Sequence, residues 1–191
     1  NLTYLDKNNE MISFDSGPGN FLIDKLLQLK SNNKMQFDKD GEIALKGNVD
    51  RNILDSYLSD PYFESSPPKS LDVNDFSLGL ARGLSVENSI TTLSEFTALT
   101  IVNSLNFFSD KPKKIILCGG GRKNKYIFER IKKISNISTL NIDDYKINGD
   151  FVESQAFAYL AIRSFLKKPI TFNKTTGAPK PLTGGKLVEF R

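Results

Sequence analysis

The chain has 191 residues, 39% of them hydrophobic and 25% charged, with a formal net charge of +4. These values are ordinary for a globular protein and exclude a chain that is disordered throughout. The sequence has no histidine and a single cysteine, Cys118, which excludes an internal disulfide, a serine–histidine–aspartate triad and a histidine-ligated metal site. Acid–base chemistry therefore falls to Asp, Glu, Lys or Tyr.

The charge pattern favours neither a nucleic acid nor a membrane as a partner. Basic residues occur in short runs at 111–114, 130–133 and 167–168, without a stripe of interleaved aromatic residues. Such runs are typical of solvated helix faces. No apolar run approaches the roughly 18 residues that span a bilayer. The single cysteine fits a reducing cytosol, which the cysteine count by itself does not establish.

The chain opens with a predicted β-hairpin and a helix. Residues 2–15 contain two short apolar runs on either side of a polar turn at 6–10. Apolar residues at helical spacing then predict a helix over 21–30, with Asn20 as its N-cap. The chain begins at Asn1, at the edge of this first strand-like run, which suggests a piece of a longer protein.

A polar stretch and two short helices are expected next. Residues 31–47 are polar and contain two glycines, so we predict a loop. A short helix follows in the sequence NILDSYLSD and stops before Pro61. After a proline-containing connection, Asp75 is the expected cap of another short helix that runs through Leu80.

The longest helix is predicted over residues 88–109 and has an amphipathic pattern. Its apolar face consists of Leu93, Phe96, Thr97, Thr100, Ile101 and Leu105.

The second half of the chain predicts a strand followed by two helices. The sequence KKIILCGGG indicates a buried strand that enters a glycine loop, and NKYIFERIKKI is the helix after it. A second helix over 150–168 begins with acids and ends with lysines, which suits the helix dipole. The glycine- and proline-rich tail contains a final candidate strand. This order predicts an α/β domain whose mixed sheet is flanked by helices, with the hairpin first and a parallel addition later.

The glycine loop after the predicted strand is the first stretch that indicates chemistry. In the sequence IILCGGGRKN, Gly119, Gly120 and Gly121 let the backbone approach a ligand without an intervening Cβ atom. The following helix directs free N–H groups at that spot, which suits the phosphates or ribose of a nucleotide. A tight strand-to-helix turn without a ligand explains the glycines equally well. The spacing matches neither a P-loop nor a G-x-G-x-x-G motif.

The second stretch, FDSGPGN, places a carboxylate at the end of a strand. Asp15 is followed by Gly17 and Gly19, which free the loop, and by Asn20 at the start of a helix. A carboxylate in this setting can meet both a phosphate and a hydroxyl. The competing interpretation is that Asp15 is a turn acid bonded to its own backbone.

The third stretch, GDFVESQAFA, begins the last long helix. Asp150 and Glu153 are three residues apart, so we expect them to share one helix face. Acids in a first helical turn are also common surface residues that the helix dipole favours.

Taken together and in this order, these stretches resemble anhydro-N-acetylmuramic acid kinases. The resemblance runs across essentially the whole chain and is carried by FDSGPGN, PYF…PPKSLD…NDF, LCGGGRKNK and ESQAFAYLAIR…PITFNKTTGAPKPLTGG. It implies a fold of the actin/hexokinase/Hsp70-like ATPase superfamily, in which two RNase H-like halves close over a cleft. It also implies a reaction in which ATP and water open 1,6-anhydro-N-acetylmuramic acid and O6 is phosphorylated, in peptidoglycan recycling.

The resemblance assigns roles to individual residues. Asp15 would be the general base that takes a proton from the attacking water. Glu153 would bind sugar hydroxyls near the point of attack. The nucleotide would be held by Gly119, Gly120, Gly121 and Asn124, and on the other loop by Gly17, Gly19 and Asn20. ATP and Mg²⁺ are the implied cofactors, and no residue of this chain is expected to form a metal site of its own.

One family feature has no counterpart in this sequence. The family opens with a phosphate loop similar to SGTSxDGxD, and nothing here matches it. We therefore expect residues 1–191 to be the C-terminal lobe of a two-lobed kinase, with its own N-terminal lobe, and a second copy in a homodimer, as partners. The alternative is a non-catalytic nucleotide-binding or regulatory module of the same fold. No chemistry is assigned to residues 70–72 or to the loop at 31–47.

Overall fold

The computed structural model describes residues 1–72 and 75–188. These residues contain both strands and helices, as the sequence predicts for an α/β domain, and short 3₁₀ turns join several of them. The elements are β1 Leu2–Leu5, β2 Met11–Phe14, α1 Phe21–Lys30, α2 Arg51–Leu58, α3 Val86–Ser104, β3 Lys114–Leu117, α4 Lys125–Ser135, β4 Ser138–Asn141, α5 Val152–Phe165 and α6 Asn173–Thr176.

The predicted hairpin is confirmed. β1 and β2 pair antiparallel, with Leu2 opposite Phe14 and Leu5 opposite Met11. The Asp6 carboxylate closes the turn, because it accepts the N–H groups of Asn8 at 2.8 Å and Glu10 at 2.7 Å. This is an acid bonded to its own turn.

The strands form two separate sheets within the described residues, rather than the single mixed sheet that the sequence predicts. β3 pairs parallel with β4, from Lys114 opposite Ser138 to Leu117 opposite Asn141. The sequence did not indicate β4, because its four residues read STLN and lack the apolar alternation of a strand. The coarser prediction, an α/β fold of small sheets flanked by helices, is confirmed.

Helix α3 is the centre of the molecule. The predicted apolar face is buried, but so is the opposite side, including Thr92 and Glu95. The prediction of an amphipathic helix is therefore wrong for residues 89–98, which are all buried, because α1, α2 and α4 pack around α3. The core side chains of these helices include Leu22, Leu26, Leu54, Phe96, Ile127 and Ile131.

Several polar side chains of α3 bond to the elements that pack on it, although Ser94 Oγ is buried without a hydrogen-bond partner in the described part of the chain. The Glu95 carboxylate accepts hydrogen bonds from Arg130 Nε at 2.6 Å and from the Tyr126 hydroxyl at 3.0 Å. Burial, with the charge of Glu95, raises the pKa of Tyr126 above its usual range. Thr91 donates to the carbonyl of Ala44 at 2.8 Å. Because buried polar groups are costly unless paired, these bonds fix the positions of neighbouring segments.

The connection at 31–47 is an ordered loop with one 3₁₀ turn. The Asp38 carboxylate accepts the N–H groups of Ile43 and Ala44, at 2.9 and 3.0 Å. Further along, the prediction that Asp75 caps a helix through Leu80 is wrong. Its carboxylate instead accepts the N–H of Asp72 at 2.6 Å, and only a 3₁₀ turn, Gly79–Ala81, follows.

The C-terminal segment is the least covered part of the fold. α5 is shorter than the predicted 150–168 and has no buried residue; Phe157 and Phe165 are 65% and 69% exposed. The predicted final strand is reduced to one bridge, between Thr171 and Leu182, and its last residues lie outside the described part of the chain. The described helices include none that is both long and apolar enough to cross a membrane.

Candidate active site

Asp15 lies immediately after β2 and is half-buried. Its N–H donates to the carbonyl of Lys69 at 3.1 Å, and its own carbonyl accepts the Tyr62 hydroxyl at 2.6 Å. Its carboxylate accepts the N–H of Leu71 through Oδ2 at 2.9 Å. Within the described residues, Oδ1 has no hydrogen-bond partner. Unlike Asp6, Asp15 is therefore not bonded to its own turn, and one carboxylate oxygen is available to accept a proton.

The sequence PPKSLD, residues 67–72, has a structural role beside Asp15. The Lys69 ammonium donates to the carbonyl of Tyr62 at 2.8 Å and lies 4.4 Å from the centroid of the Tyr62 ring. The ring of Phe107 is 4.5 Å away on another side. Burial lowers the pKa of Lys69. These contacts hold the backbone at 69–71 against Asp15. No chemistry was assigned to residues 70–72, but one of them, Leu71, donates the N–H that holds the Asp15 carboxylate.

The loop after Asp15 is docked on α3. An added Cβ at Gly17 would lie 2.5 Å from Thr100 Oγ1, so only glycine permits this approach. Thr97 donates to the carbonyl of Gly19, whose φ is +58°, at 2.7 Å. Asn20 occupies the predicted N-cap position of α1, but its side chain makes no capping bond. Its Oδ1 is buried without a hydrogen-bond partner among the described residues.

The glycine loop at 119–121 leaves its surface open. Gly119 has φ +70°, a conformation that favours glycine. At Gly120 an added Cβ would meet nothing within 4 Å, and at Gly121 it would approach the Asn20 side chain at 3.9 Å. The two glycine loops thus meet. A cavity of about 650 Å³ is lined by Gly19 and Asn20 from one loop and by Gly120 and Gly121 from the other.

Asn124 has a structural function in this fold. It is buried and caps α4, where its Oδ1 accepts the N–H of Ile127 at 3.2 Å. An added Cβ at Gly41 would lie 2.4 Å from the same oxygen, so the 31–47 loop packs tightly there. Asn124 does not line the cavity, and its contact with a nucleotide stays a prediction.

Arg122, which sequence reasoning missed, connects the glycine loop to the start of α5. Its side chain is only 4% exposed. Its Nη1 donates to the carbonyl of Gly119 and to the Asp150 carboxylate, both at 2.9 Å, and its Nε donates to Asp143 at 2.5 Å. The hydrogen bond to Asp143, followed by that to Asp150, raises the pKa of Arg122. An arginine directly after a glycine loop, with an aspartate at the start of a later helix, was the available signal.

The prediction that Asp150 and Glu153 share a helix face is wrong, because α5 begins only at Val152 and Asp150 precedes it. The Asp150 carboxylate faces the glycine loop and is held by Arg122 and by Lys123 Nζ at 2.8 Å. The hydrogen bond from Arg122, followed by that from Lys123, lowers the pKa of Asp150 to about 2. Glu153 lies in the first turn of α5 and is exposed. Neither Asp15 nor Glu153 lines the cavity that joins the glycine loops.

The whole chain is similar to proteins of known name. A model of the anhydro-N-acetylmuramic acid kinase family matches residues 1–189. Curated proteins named anhydro-N-acetylmuramic acid kinase are similar: one from Pelagibacter ubique is 44% identical over 193 residues, covering 97% of this chain and 51% of its own length. One from Zymomonas mobilis is 40% identical over 188 residues, covering 98% and 51%. One from Caulobacter vibrioides is also 40% identical over 188 residues, covering 98% and 50%.

The chain is an α/β domain whose strand ends carry glycine-rich loops. It belongs to the anhydro-N-acetylmuramic acid kinase family, because the family model matches nearly all of it. The chain spans about half the length of the curated relatives that it matches. Within the described ranges, no group of three or more Cys, Asp or Glu side chains is placed to hold a metal ion.

The link between Arg122 and Asp150 makes a prediction for pH dependence. The Asp150 carboxyl has a pKa of about 2 in the fold, compared with 3.8 in an unfolded chain. Its contribution to stability is therefore fully present above pH 4 and is lost as the pH falls toward 2. We expect Asp150→Asn to lower the melting temperature of the full-length protein at neutral pH, by a difference that shrinks between pH 4 and pH 2.

The matched control is Asp110→Asn. The Asp110 carboxylate lies 3.9 Å from the Lys7 ammonium, and both side chains are exposed. Because exposed ion pairs contribute little to stability, we expect Asp110→Asn to change the melting temperature little at any pH. If the melting temperatures of wild type and D150N differ by the same amount at pH 2 and at pH 7, the predicted electrostatic link between Arg122 and Asp150 is contradicted.

Proposed function

We propose that the full-length protein carrying this chain is an ATP-dependent kinase that hydrolytically opens 1,6-anhydro-N-acetylmuramic acid and phosphorylates O6. The product is N-acetylmuramic acid 6-phosphate, and the process is peptidoglycan recycling in the cytoplasm. The observation that carries the proposal is Asp15, held through Oδ2 by the N–H of Leu71 and unpaired at Oδ1 within the described residues. The names of the relatives support the substrate.

In this proposal Asp15 is the general base. Water attacks the anomeric carbon, its oxygen forms the new bond to that carbon, and its proton passes to Asp15 Oδ1. The bond between the anomeric carbon and O6 breaks. O6 forms a bond to the γ-phosphorus of ATP, and the bond from that phosphorus to the β,γ-bridging oxygen breaks, so ADP leaves. The N–H of Leu71 holds the carboxylate in one orientation, which is the positioning that acid–base catalysis requires. A purely nucleotide-binding module has no need of a carboxylate held in this way.

The two glycine loops would hold the nucleotide. The open surface of Gly120 and the unpartnered Oδ1 of Asn20 fit a ligand with hydroxyl or amino donors and with phosphates that need close backbone approach. Arg122, which also lines the cavity, fixes the loop through the carbonyl of Gly119. When bound, ATP supplies the phosphoryl group, and Mg²⁺ neutralises its charge. Mg²⁺ typically binds through phosphates, water and one or two carboxylates, so a dedicated protein cage is not required.

We also propose that the chain is the C-terminal lobe of a two-lobed enzyme with an RNase H-like fold. Its span of about half the relatives' length supports this division. The exposed phenylalanines of α5 support it as well, because large exposed apolar side chains close together commonly mark interaction surfaces. The other wall of the cleft would then come from the N-terminal lobe. A homodimer stays a prediction.

The nucleotide role of the 119–121 loop predicts the effect of Gly120→Val. The valine side chain would project into open space, so the fold should survive, while a bound phosphate or ribose would be displaced. We expect ATP affinity of the full-length protein to fall at least about tenfold, or about 1.4 kcal/mol. Isothermal calorimetry measures this. The matched control is Gly83→Val, where an added Cβ also meets nothing within 4 Å. Equal ATP affinities of the two variants would exclude this loop from the nucleotide site.

The general-base role predicts the effect of Asp15→Asn. Asparagine keeps the size of the side chain and can accept the N–H of Leu71, but it cannot take the proton. We expect kcat of the full-length enzyme to fall by about 10²–10⁴-fold, the usual range for acid–base catalysis. Binding of ATP and sugar should stay within a few-fold, because the loss falls on the transition state.

The matched control is Asp6→Asn, because Asp6 is the acid that bonds its own turn and asparagine can make the same bonds. Its kcat should be close to wild type. Glu153→Gln should raise the KM for the sugar more than it lowers kcat, if Glu153 binds hydroxyls. Near-wild-type kcat for D15N at saturating substrates would falsify the catalytic assignment.

The division into lobes makes a separate prediction. The isolated 191-residue chain should have negligible kinase activity, because a cleft with one wall cannot position water, sugar and nucleotide together. The assay contains ATP, Mg²⁺ and the anhydro sugar, beside the full-length enzyme as the positive control. Turnover by the isolated chain that is comparable to the full-length enzyme would show that the lobe boundary is wrong.

A further inference from the structure

Asp15 is bonded to a single segment that is distant from it in sequence, residues 62–71. Its N–H donates to the carbonyl of Lys69 at 3.1 Å, and its carbonyl accepts the Tyr62 hydroxyl at 2.6 Å. Its Oδ2 accepts the N–H of Leu71 at 2.9 Å. Every polar group of Asp15 except Oδ1 thus has a partner in the 62–71 segment. Whatever fixes this segment therefore also fixes the direction of Oδ1.

The conformation of the 62–71 segment depends on side-chain contacts of Lys69. The 3₁₀ turn Pro61–Glu64 covers only its beginning, and residues 65–71 lie in neither a helix nor a strand. The Lys69 ammonium donates to the carbonyl of Tyr62 at 2.8 Å and reaches that of Phe63 at 3.5 Å. These bonds close the segment on itself, from its last residues back to its first.

Three aromatic rings surround the same ammonium. It lies 4.4 Å from the centroid of Tyr62, 4.5 Å from that of Phe107 and 5.8 Å from that of Phe14. At these distances a ring face attracts a cation. Phe14 directly precedes Asp15, and Phe107 lies in the turn after α3, so the rings connect the segment to the elements on both sides of it. Within the described ranges the ammonium forms no ion pair, and its partners are carbonyls and rings.

We propose that Lys69 is a positioning residue for Asp15: its ammonium holds the 62–71 segment among the rings, and the N–H of Leu71 then directs Oδ1 toward the attacking water. The inference rests on the general-base role proposed above. Lys69 exchanges no proton with water or sugar. It acts through the backbone, because its ammonium is held by the rings while its carbonyl accepts the N–H of Asp15.

Lys69→Met tests the inference in the full-length enzyme. Methionine packs well among aromatic rings but cannot donate to the two carbonyls. We expect kcat to fall at least about tenfold, because a displacement of about 1 Å can cost about a hundredfold. The KM values for sugar and ATP should stay within about threefold, because the loss falls on the transition state. Lys69→Arg keeps a cation among the rings and should recover most of the lost activity.

The matched control is Lys30→Met. Lys30 is also half-buried, and its ammonium also donates to a backbone carbonyl, that of Leu84, between the end of α1 and the start of α3. Its kcat should be close to wild type. If Lys69→Met and Lys30→Met have the same kcat, measured on folded protein at saturating substrates, the positioning role is excluded.

A double-mutant cycle with Asp15→Asn separates positioning from a general effect on the fold. If Lys69 acts through Asp15, Lys69→Met should lower kcat by less than about threefold once Asp15 is replaced, because residues that act as a unit are not additive. An equal loss in the wild-type and D15N backgrounds would overturn the inference and leave the general base intact. A near-wild-type kcat for D15N alone would instead contradict the proposed function on which the inference rests.

Tyr62→Phe tests the same segment by a smaller change, which applies even if Lys69→Met does not fold. Phenylalanine keeps the ring beside Lys69 but loses the hydroxyl that donates to the Asp15 carbonyl. We expect kcat to fall about three- to tenfold, as for the loss of one hydrogen bond. The matched control is Tyr57→Phe, which loses a hydroxyl bond to the carbonyl of Ser77 at 2.9 Å and should keep its kcat. Equal kcat values for Y62F and Y57F would show that the 62–71 segment does not position Asp15.

Discussion

The burial of α3 on every side is the constraint on which the candidate site depends. Thr97 holds the loop after Asp15 through the carbonyl of Gly19, and Thr100 permits only a glycine at position 17. On its other side, Glu95 accepts hydrogen bonds from two residues of α4, the helix that follows the second glycine loop. One buried helix thus fixes both loops. Because buried polar groups are costly when unpaired, these contacts specify position as well as stability.

Many threonines and serines lie in the buried helix α3, and the hydrogen bonds of their hydroxyl groups explain how a buried helix accommodates them. In a buried helix such a hydroxyl can bond to a carbonyl one turn earlier, as Ser104 does to Thr100 at 2.7 Å. It can also bond to a neighbouring segment, as Thr92 accepts the N–H of Asp50 at 3.0 Å. The second kind of bond connects α3 to the loops around it. The sequence pattern alone predicted an amphipathic helix, because a hydroxyl residue that faces water and one that bonds to a neighbouring segment look the same in a sequence.

Short-range features were predictable from the sequence, whereas long-range contacts were not. The hairpin, α1, β3 and α4 follow from apolar spacing and turn residues, which act between neighbours in the chain. β4 was missed because its pairing with β3 comes from tertiary structure. Asp15 and the glycine loops were found as motifs. The residues that hold them in place were missed. Leu71, which bonds to the Asp15 carboxylate, is distant from it in sequence. Arg122 adjoins the loop at 119–121, but its side chain is held by Asp150, which comes much later in the chain.

The two halves of the candidate site are attached to different sheets. Asp15 follows β2 of the hairpin, and the open glycine loop follows β3 of the parallel pair. Within the described residues, packing on α3 connects these sheets, and strand pairing does not. A displacement of about 1 Å between a base and a reacting group can cost about a hundredfold in rate. The packing of both loops on α3 therefore sets the position of Asp15 relative to the glycine loop at 119–121.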